Sequence, residues 1–173
     1  MNETLKTILG RRSIRSYKPE QITDEELNVI LKAGEYAPSA MNQQSSHFTV
    51  IQNKDVMKEF IELAKDITKQ DENPFYDAPT VVLVFAKKGN IAPICDASLA
   101  IGNMLIAATS LNIGSCWIHC VNAIFNTEKG KKFQKRLGVG EEYGIVGSCV
   151  LGHAAAKASK AAPRKADYVN IIK

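Results

Sequence analysis

From Ile94 to Ile113 the chain carries a single charge, Asp96, and is apolar almost all round when wound as a helix. A helix with no polar face cannot lie on a surface, so the rest of the chain must cover it. Asp96, Gly102 and Asn103 interrupt the stretch, which argues against a membrane span. The chain is 173 residues long, the length of one domain at roughly 100–200 residues each, and no repeat, low-complexity tract or internal linker divides it. The expectation is one domain over residues 1–173, built around a central buried helix at about 93–112.

The flanking patterns supply the cover. Leu5, Ile8 and Leu9 predict a short first helix stopped at Gly10. Thr23 and Glu26 form a capping box that opens a helix with Leu27, Ile30, Leu31 and Ala37 on one face. Val56, Phe60, Leu63, Ala64 and Ile67 follow helical spacing. His47 to Gln52, Ser115 to Ile118 and Gly144 to Leu151 read as strands, and a short cationic helix occupies about 127–137. The run Thr80–Ala86 is apolar and rich in β-branched residues, as in a strand buried on both faces. Helices and strands mix without a regular βαβ alternation, which predicts an α+β fold with helices packed around one sheet. From Gly152 onward the chain is rich in small and basic residues and reads as a C-terminal arm, residues 152–173.

Composition narrows the classes. Apolar residues make up 45% of the chain, enough for a core, which excludes a disordered tail or a disulfide miniprotein. The net charge of +4 falls short of a dedicated nucleic-acid binder and suits one anionic small molecule. The first ten residues hold no apolar run of secretory length. Four cysteines are too scattered for a disulfide framework, and Cys116 with Cys120 lacks the further ligands of a zinc site. Three of the four lie in apolar stretches, which predicts buried thiols. The expectation is a cytoplasmic protein with no membrane segment and no metal.

Four segments carry groups suited to chemistry. Arg11, Arg12, Ser13 and Arg15 place three guanidinium groups and a hydroxyl within five residues after a helix end. Arginine binds phosphate through paired, planar hydrogen bonds, so this cluster suits a phosphate monoester, with a solvated basic loop as the alternative. Residues 37–46 follow an apolar helix, and Pro38 blocks its continuation. Ser39, Asn42, Gln43 and Gln44 supply donors and acceptors for the edge of a flat heterocycle, or belong to an ordinary helix-to-strand loop. In residues 111–120, Gly114 permits a tight turn, after which main-chain N–H groups can face a ligand, while a lone His119 points to a structural side chain. Pro163, Arg164 and Lys165 in the arm either close over a phosphate or stay solvated. No G-x-G-x-x-G, P-loop, H-E-x-x-H or G-x-S-x-G motif is present.

Taken in order, R-R-S-I-R-S-Y, A-P-S-A-M-N-Q-Q, D-A-P-T-V-V-L-V-F-A, D-A-S-L-A-I-G-N-M-L-I-A-A, I-G-S-C-W-I and a late P-R-K run across nearly the whole chain. This succession resembles the nitroreductase family of FMN-dependent oxidoreductases. The resemblance implies a three-layer α/β/α arrangement with one mainly antiparallel sheet, in a homodimer holding two FMN molecules at the subunit interface. It assigns Arg11, Arg12, Ser13 and Arg15 to the phosphate and ribityl end of FMN. Pro38, Ser39, Ala40, Met41, Asn42 and Gln44 would come from the other subunit to one face and edge of the flavin. Trp117, Ile118 and His119 would place backbone beside its reactive N5, and Arg164 with Lys165 would complete the phosphate site. Asn73, Pro74, Phe75 and Tyr76 are candidates for the roof. The implied activity is ping-pong transfer of electrons from NADH or NADPH to nitro compounds, quinones or similar acceptors. The flavin carries the chemistry, so no side chain is named as catalytic. The chain departs from many relatives at Gln44-Ser45-Ser46, where they continue Gln-Pro-Trp.

Two other readings stand beside it. One uses the same scaffold as a flavin-dependent oxidase, dehalogenase or flavin-destroying synthase. The other is a nucleic-acid-binding module using Arg11, Arg12, Arg15 and the cluster Lys129, Lys131, Lys132, Lys135 and Arg136, against which a solvated helix face with Phe133 and Leu137 beneath is the plainer account.

Overall fold

A computed structural model describes all residues, Met1–Lys173, with six α-helices and four strands. In chain order these are α1 (Glu3–Gly10), α2 (Asp24–Glu35), a 3-10 turn (Ala40–Asn42), β1 (Ser46–Ile51), α3 (Lys54–Thr68) and β2 (Thr80–Lys87). Then follow α4 (Pro93–Ser110), β3 (Gly114–Ile118), α5 (Val121–Phe125), α6 (Glu128–Arg136) and β4 (Tyr143–Gly152). The strands form one antiparallel sheet in the order β1-β2-β4-β3.

Side chains alternate across a strand, and β2 shows why the sheet needs cover on both sides. Val81, Leu83 and Phe85 enter one core, with Phe60 and Ala64 of α3, Ile124 and Phe125 of α5 and Phe133 of α6. Val82, Val84 and Ala86 enter the other, with Leu27 and Ile30 of α2 and Ala97, Ile101, Met104 and Ala108 of α4. The result is the expected three-layer arrangement. Phe60 organises the first core: its ring stacks on Phe75 at 4.7 Å and on Phe133 at 5.2 Å between centroids, each such aromatic pair adding about 0.5–1.5 kcal/mol beyond burial. The Thr23–Glu26 capping box forms as read, with both reciprocal hydrogen bonds present.

Several expectations need correction. Helix α4 is the central helix, but the single chain does not bury it all round: Ile94 and Leu99 are 67% and 48% exposed. Only one side meets the sheet and α2, so its outer side keeps the apolar residues that forced a buried reading. Helix α5 was not anticipated, because its buried residues Val121, Ile124 and Phe125 span barely one turn. Of the cysteines, Cys116 and Cys149 are buried, Cys120 is half-buried and Cys95 is exposed on the outer side of α4. Gly114 makes no turn. Asn112 takes the left-handed conformation there (φ 57°), and Gly114 is instead a close-approach residue, where a Cβ would sit 3.0 Å from the Gly152 carbonyl and 3.1 Å from Ile14.

The cationic helix behaves as a surface helix. Phe133 and Gln134 are buried, while Lys129 pairs with Asp66 at 2.7 Å, Lys131 with Glu128 at 2.7 Å, and Arg136 with Glu59. No helix is long and apolar enough to cross a membrane. The arm begins slightly later than expected: Lys18 N–H donates to the His153 carbonyl and Ala155 N–H to the Ser16 carbonyl, and all residues beyond are exposed.

Candidate active site

Strand β3 lies at a sheet edge, and the segment after α1 runs alongside its start. Ser13 bridges Ser115 in parallel, with Ile14 N–H donating to the Ser115 carbonyl at 2.9 Å. Tyr17 pins this segment down, its hydroxyl donating to the Ile14 carbonyl at 2.6 Å. Burial, then the neighbouring Cys116 and Cys149, pushes the Tyr17 phenol far above its ordinary range, so it remains a donor at any physiological pH.

Past that bridge the end of β3 opens into a cleft of about 600 Å³, lined on one side by Trp117, Ile118, His119 and Cys120 and on the other by residues from Gln70 to Tyr76. That volume falls within the range of roughly 300–1,000 Å³ typical of cofactor sites. The guanidinium of Arg15 stands 5.9 Å from the ring centroid of Tyr76, which lines the cleft. Neither Arg11 nor Arg15 enters any of the six ion pairs of the chain, so both charges are free for an anion. Arg12 is committed elsewhere: one of its terminal nitrogens donates to the Leu9 and Arg11 carbonyls at 2.9 and 2.7 Å, closing the C-terminal end of α1.

The turn carrying His119 is fixed by Asn122, whose amide donates to the His119 carbonyl at 3.2 Å and to the Val146 carbonyl at 2.9 Å. The His119 side chain itself is exposed. Trp117 lies across β4 at Gly147, where a Cβ would come within 2.8 Å of the indole. Cys120, half-buried in the cleft wall, has its thiol pKa raised by desolvation and stays protonated near neutral pH.

The opposite lip is also rigid. Phe75 is fully buried in the aromatic core, and the Asn73 side chain accepts from Phe75 N–H at 2.9 Å and donates to Asp77 at 2.8 Å. Of the expected roof residues, Asn73, Pro74 and Tyr76 line the cleft, whereas Phe75 is its anchor and lines nothing. Gln70, Asp71, Glu72 and Cys120 also line it and were missed; polar residues after a helix end carry no pattern that distinguishes a lip from a plain loop.

The remaining candidates stand apart from this cleft within one protomer. Pro38 and Ser39 precede the 3-10 turn of Ala40, Met41 and Asn42, and Gln44 follows it; Met41, Asn42 and Gln44 all have positive φ. The turn is closed by Ser39, whose hydroxyl accepts from Gln44 N–H at 3.0 Å, and Met41 through Gln44 are exposed. Arg164 and Lys165 lie in the exposed arm and share a shallow hollow only with their own neighbours. One chain thus brings Trp117, Ile118 and His119 into the cleft, with Arg15 over the ring of its Tyr76 and Ser13 bridged to Ser115 of the same strand, and leaves the 38–44 loop and the arm separate.

An antiparallel sheet between two helical layers, with free arginines at an edge strand and a cofactor-sized cleft at its end, defines an α+β protein built to hold an anionic, flat ligand. The model for the Nitroreductase family matches residues 8–153, and the chain belongs to that family. It is 35% identical over 156 residues to an Archaeoglobus fulgidus protein whose name places it with the NADH dehydrogenase/NAD(P)H nitroreductases, spanning 88% of this chain and 86% of that one. It is 31% identical over 144 residues to the NAD(P)H-using FMN reductase of Bacillus subtilis, spanning 70% of this chain and 55% of that protein. Among solved structures, a nitroreductase with bound FMN from Bacteroides fragilis matches at a TM-score of 0.93 and 35% identity, covering 100% of both chains. One with bound FMN from Desulfitobacterium hafniense matches at 0.90 and 30%.

Proposed function

We propose that the protein is an FMN-dependent oxidoreductase that takes electrons from NAD(P)H and delivers them, in alternating half-reactions, to nitro compounds, quinones or similar acceptors. The observation that carries this reading is the cleft at the end of β3 in a nitroreductase-family chain, walled by Trp117–His119 and by Tyr76, over whose ring Arg15 stands. The donor set fits FMN. Two unpaired arginines and the Ser13 hydroxyl suit its terminal phosphate, and the Trp117–His119 backbone suits the polar edge of its ring system. Bound there, the flavin would supply the hydride and electron transfer. The chain's own residues bind, orient and shield it, and the nucleophile motifs missing from the sequence are not needed.

The reading extends to a cytoplasmic homodimer with a shared site. Helix α1 buries no residue and packs against α4, and Leu5, Ile8 and Leu9 of the one and Ile94 and Leu99 of the other stay exposed. Apolar area of this extent on one side of a domain favours an obligate partner. A second copy would cover it, bringing Pro38, Ser39, Ala40, Met41, Asn42 and Gln44 to its partner's flavin. The arm, tipped with exposed Tyr168, Val169, Ile171 and Ile172, would cross onto the neighbour and carry Arg164 and Lys165 with it. The absorbance spectrum of the purified protein tests the central reading, with mass analysis of the cofactor released by heat. FMN at one per chain, oxidising NADH or NADPH in the presence of an acceptor, is expected; a colourless protein or FAD as the main species would refute it.

A further inference from the structure

Asp96 lies in the first turn of α4, is 4% exposed, and spends its carboxylate on a distant segment. One oxygen accepts from Ala40 N–H at 2.9 Å and the other from the Ser45 hydroxyl at 3.0 Å. These two groups bracket the polar loop. Between them Met41, Asn42 and Gln44 hold φ values of 52°, 53° and 46°, a conformation that non-glycine residues keep only when their surroundings impose it.

Packing does not impose it here. Behind the loop is a cavity of about 360 Å³ bordered by Pro38, Ser39, Gln44, His47 and Asp96, and in front Met41 is 83% exposed. The remaining bonds lie within the loop, on exposed groups or at its far end: Gln44 N–H to the Ser39 hydroxyl, Ile91 N–H to the Gln43 side chain, and Lys87 N–H to the Ser45 carbonyl where β1 begins. The helix end favours a negative charge in its first turn, yet Asp96 caps none of its own N–H groups, and α4 has no side-chain N-cap. A buried carboxylate satisfied by two donors from one loop is a clamp on that loop.

We infer that Asp96 is a positioning residue, holding residues 38–45 in the shape that lets Ser39, Asn42 and Gln44 reach the flavin of a partner protomer. This rests on the flavin reading above. The test titrates the flavin-free protein with FMN and follows amide exchange at Ala40 without FMN. Asp96→Ala is expected to raise the FMN dissociation constant at least about tenfold, as for one lost charge-assisted hydrogen bond, and to speed exchange at Ala40. Asp96→Asn keeps a carbonyl acceptor for Ala40 N–H and should recover most of the affinity. Met104→Ala, a cavity in the same helix, should lower Tm while leaving FMN affinity within about threefold, because distant sites act independently.

If Asp96→Ala binds FMN no worse than Met104→Ala, or Asp96→Asn is as weak as Asp96→Ala, the positioning role is overturned. Should Asp96→Ala fail to fold, Ser45→Ala carries the test, since it removes one bond of the clamp and must still weaken FMN. A native protein that takes up no FMN refutes the flavin reading instead, and exchange at Ala40 then decides the role of Asp96 alone.

Discussion

The 38–45 loop and the C-terminal arm both carry expected cofactor contacts, and one protomer treats them in opposite ways. The loop is held by a buried carboxylate, a closed turn and a strand that begins at its end. The arm beyond Ala155 makes no hydrogen bond or ion pair to the domain and is exposed throughout. Fixing a residue costs roughly 1–2 kcal/mol of backbone entropy. For the loop that cost is met during folding of the chain. For the arm of the proposed dimer it would be met during assembly, by burying Tyr168, Val169, Ile171 and Ile172, all exposed in one chain. In the proposed shared site, the loop would be a preorganised half and the arm an assembly-dependent one.

Removing residues 156–173 should separate the two most sharply. The truncated chain is expected to lose the dimer in light scattering and to bind FMN about a hundredfold more weakly, in line with the several kcal/mol carried by hot-spot contacts. A truncated protein that stays dimeric and yellow would erase the contrast.

Next in size is the phosphate end. Arg11→Ala should weaken FMN about ten- to hundredfold, the worth of a charged hydrogen bond of roughly 1.5–3 kcal/mol, whereas Lys131→Ala should change it less than about twofold. Equal affinities in fluorescence titration would withdraw Arg11 from the site. Mixed dimers sharpen the same point: Arg11→Ala and Asn42→Asp, each impaired alone, should regain one complete site of two when co-expressed with different tags. Flavin measured per heterodimer reads this out, and no recovery would mean that each chain builds its own site.

The smallest effect expected is in thiol labelling. Cys95 is exposed on the outer side of α4 and should react slowly with iodoacetamide only if a second copy covers it; fast reaction in the native protein would leave that side free. Cys120 has its pKa raised by burial. Its labelling should therefore begin only above the pH at which an ordinary thiol reacts, and bound FMN should slow it a further severalfold, as mass spectrometry at a series of pH values would show.

What the sequence disclosed follows from the range of the forces involved. The capping box, the alternating faces of β2 and the spacing of α3 are set by neighbours a few residues apart, and they were legible. Asp96 looked only like an interruption in an apolar helix, because its partners Ala40 and Ser45 lie far away in the chain. Arg12 read like Arg11 and Arg15, and only the geometry of the α1 terminus sets it apart. The exposed outer side of α4 is a different case. Its composition signals burial, but nothing in the single chain covers it. The site candidates came from the order of motifs along the chain, while the cleft lip at Gln70–Glu72 has no local pattern to reveal it.

The chain has a single tryptophan, and Trp117 sits at the wall of the cleft with its indole across Gly147. Its near-ultraviolet emission is thus a one-site optical reporter, free of signal from any other indole. A chromophore absorbing near that emission and entering the cleft would quench it by energy transfer. The same signal in a stopped-flow instrument would time the entry of a ligand, with no label attached.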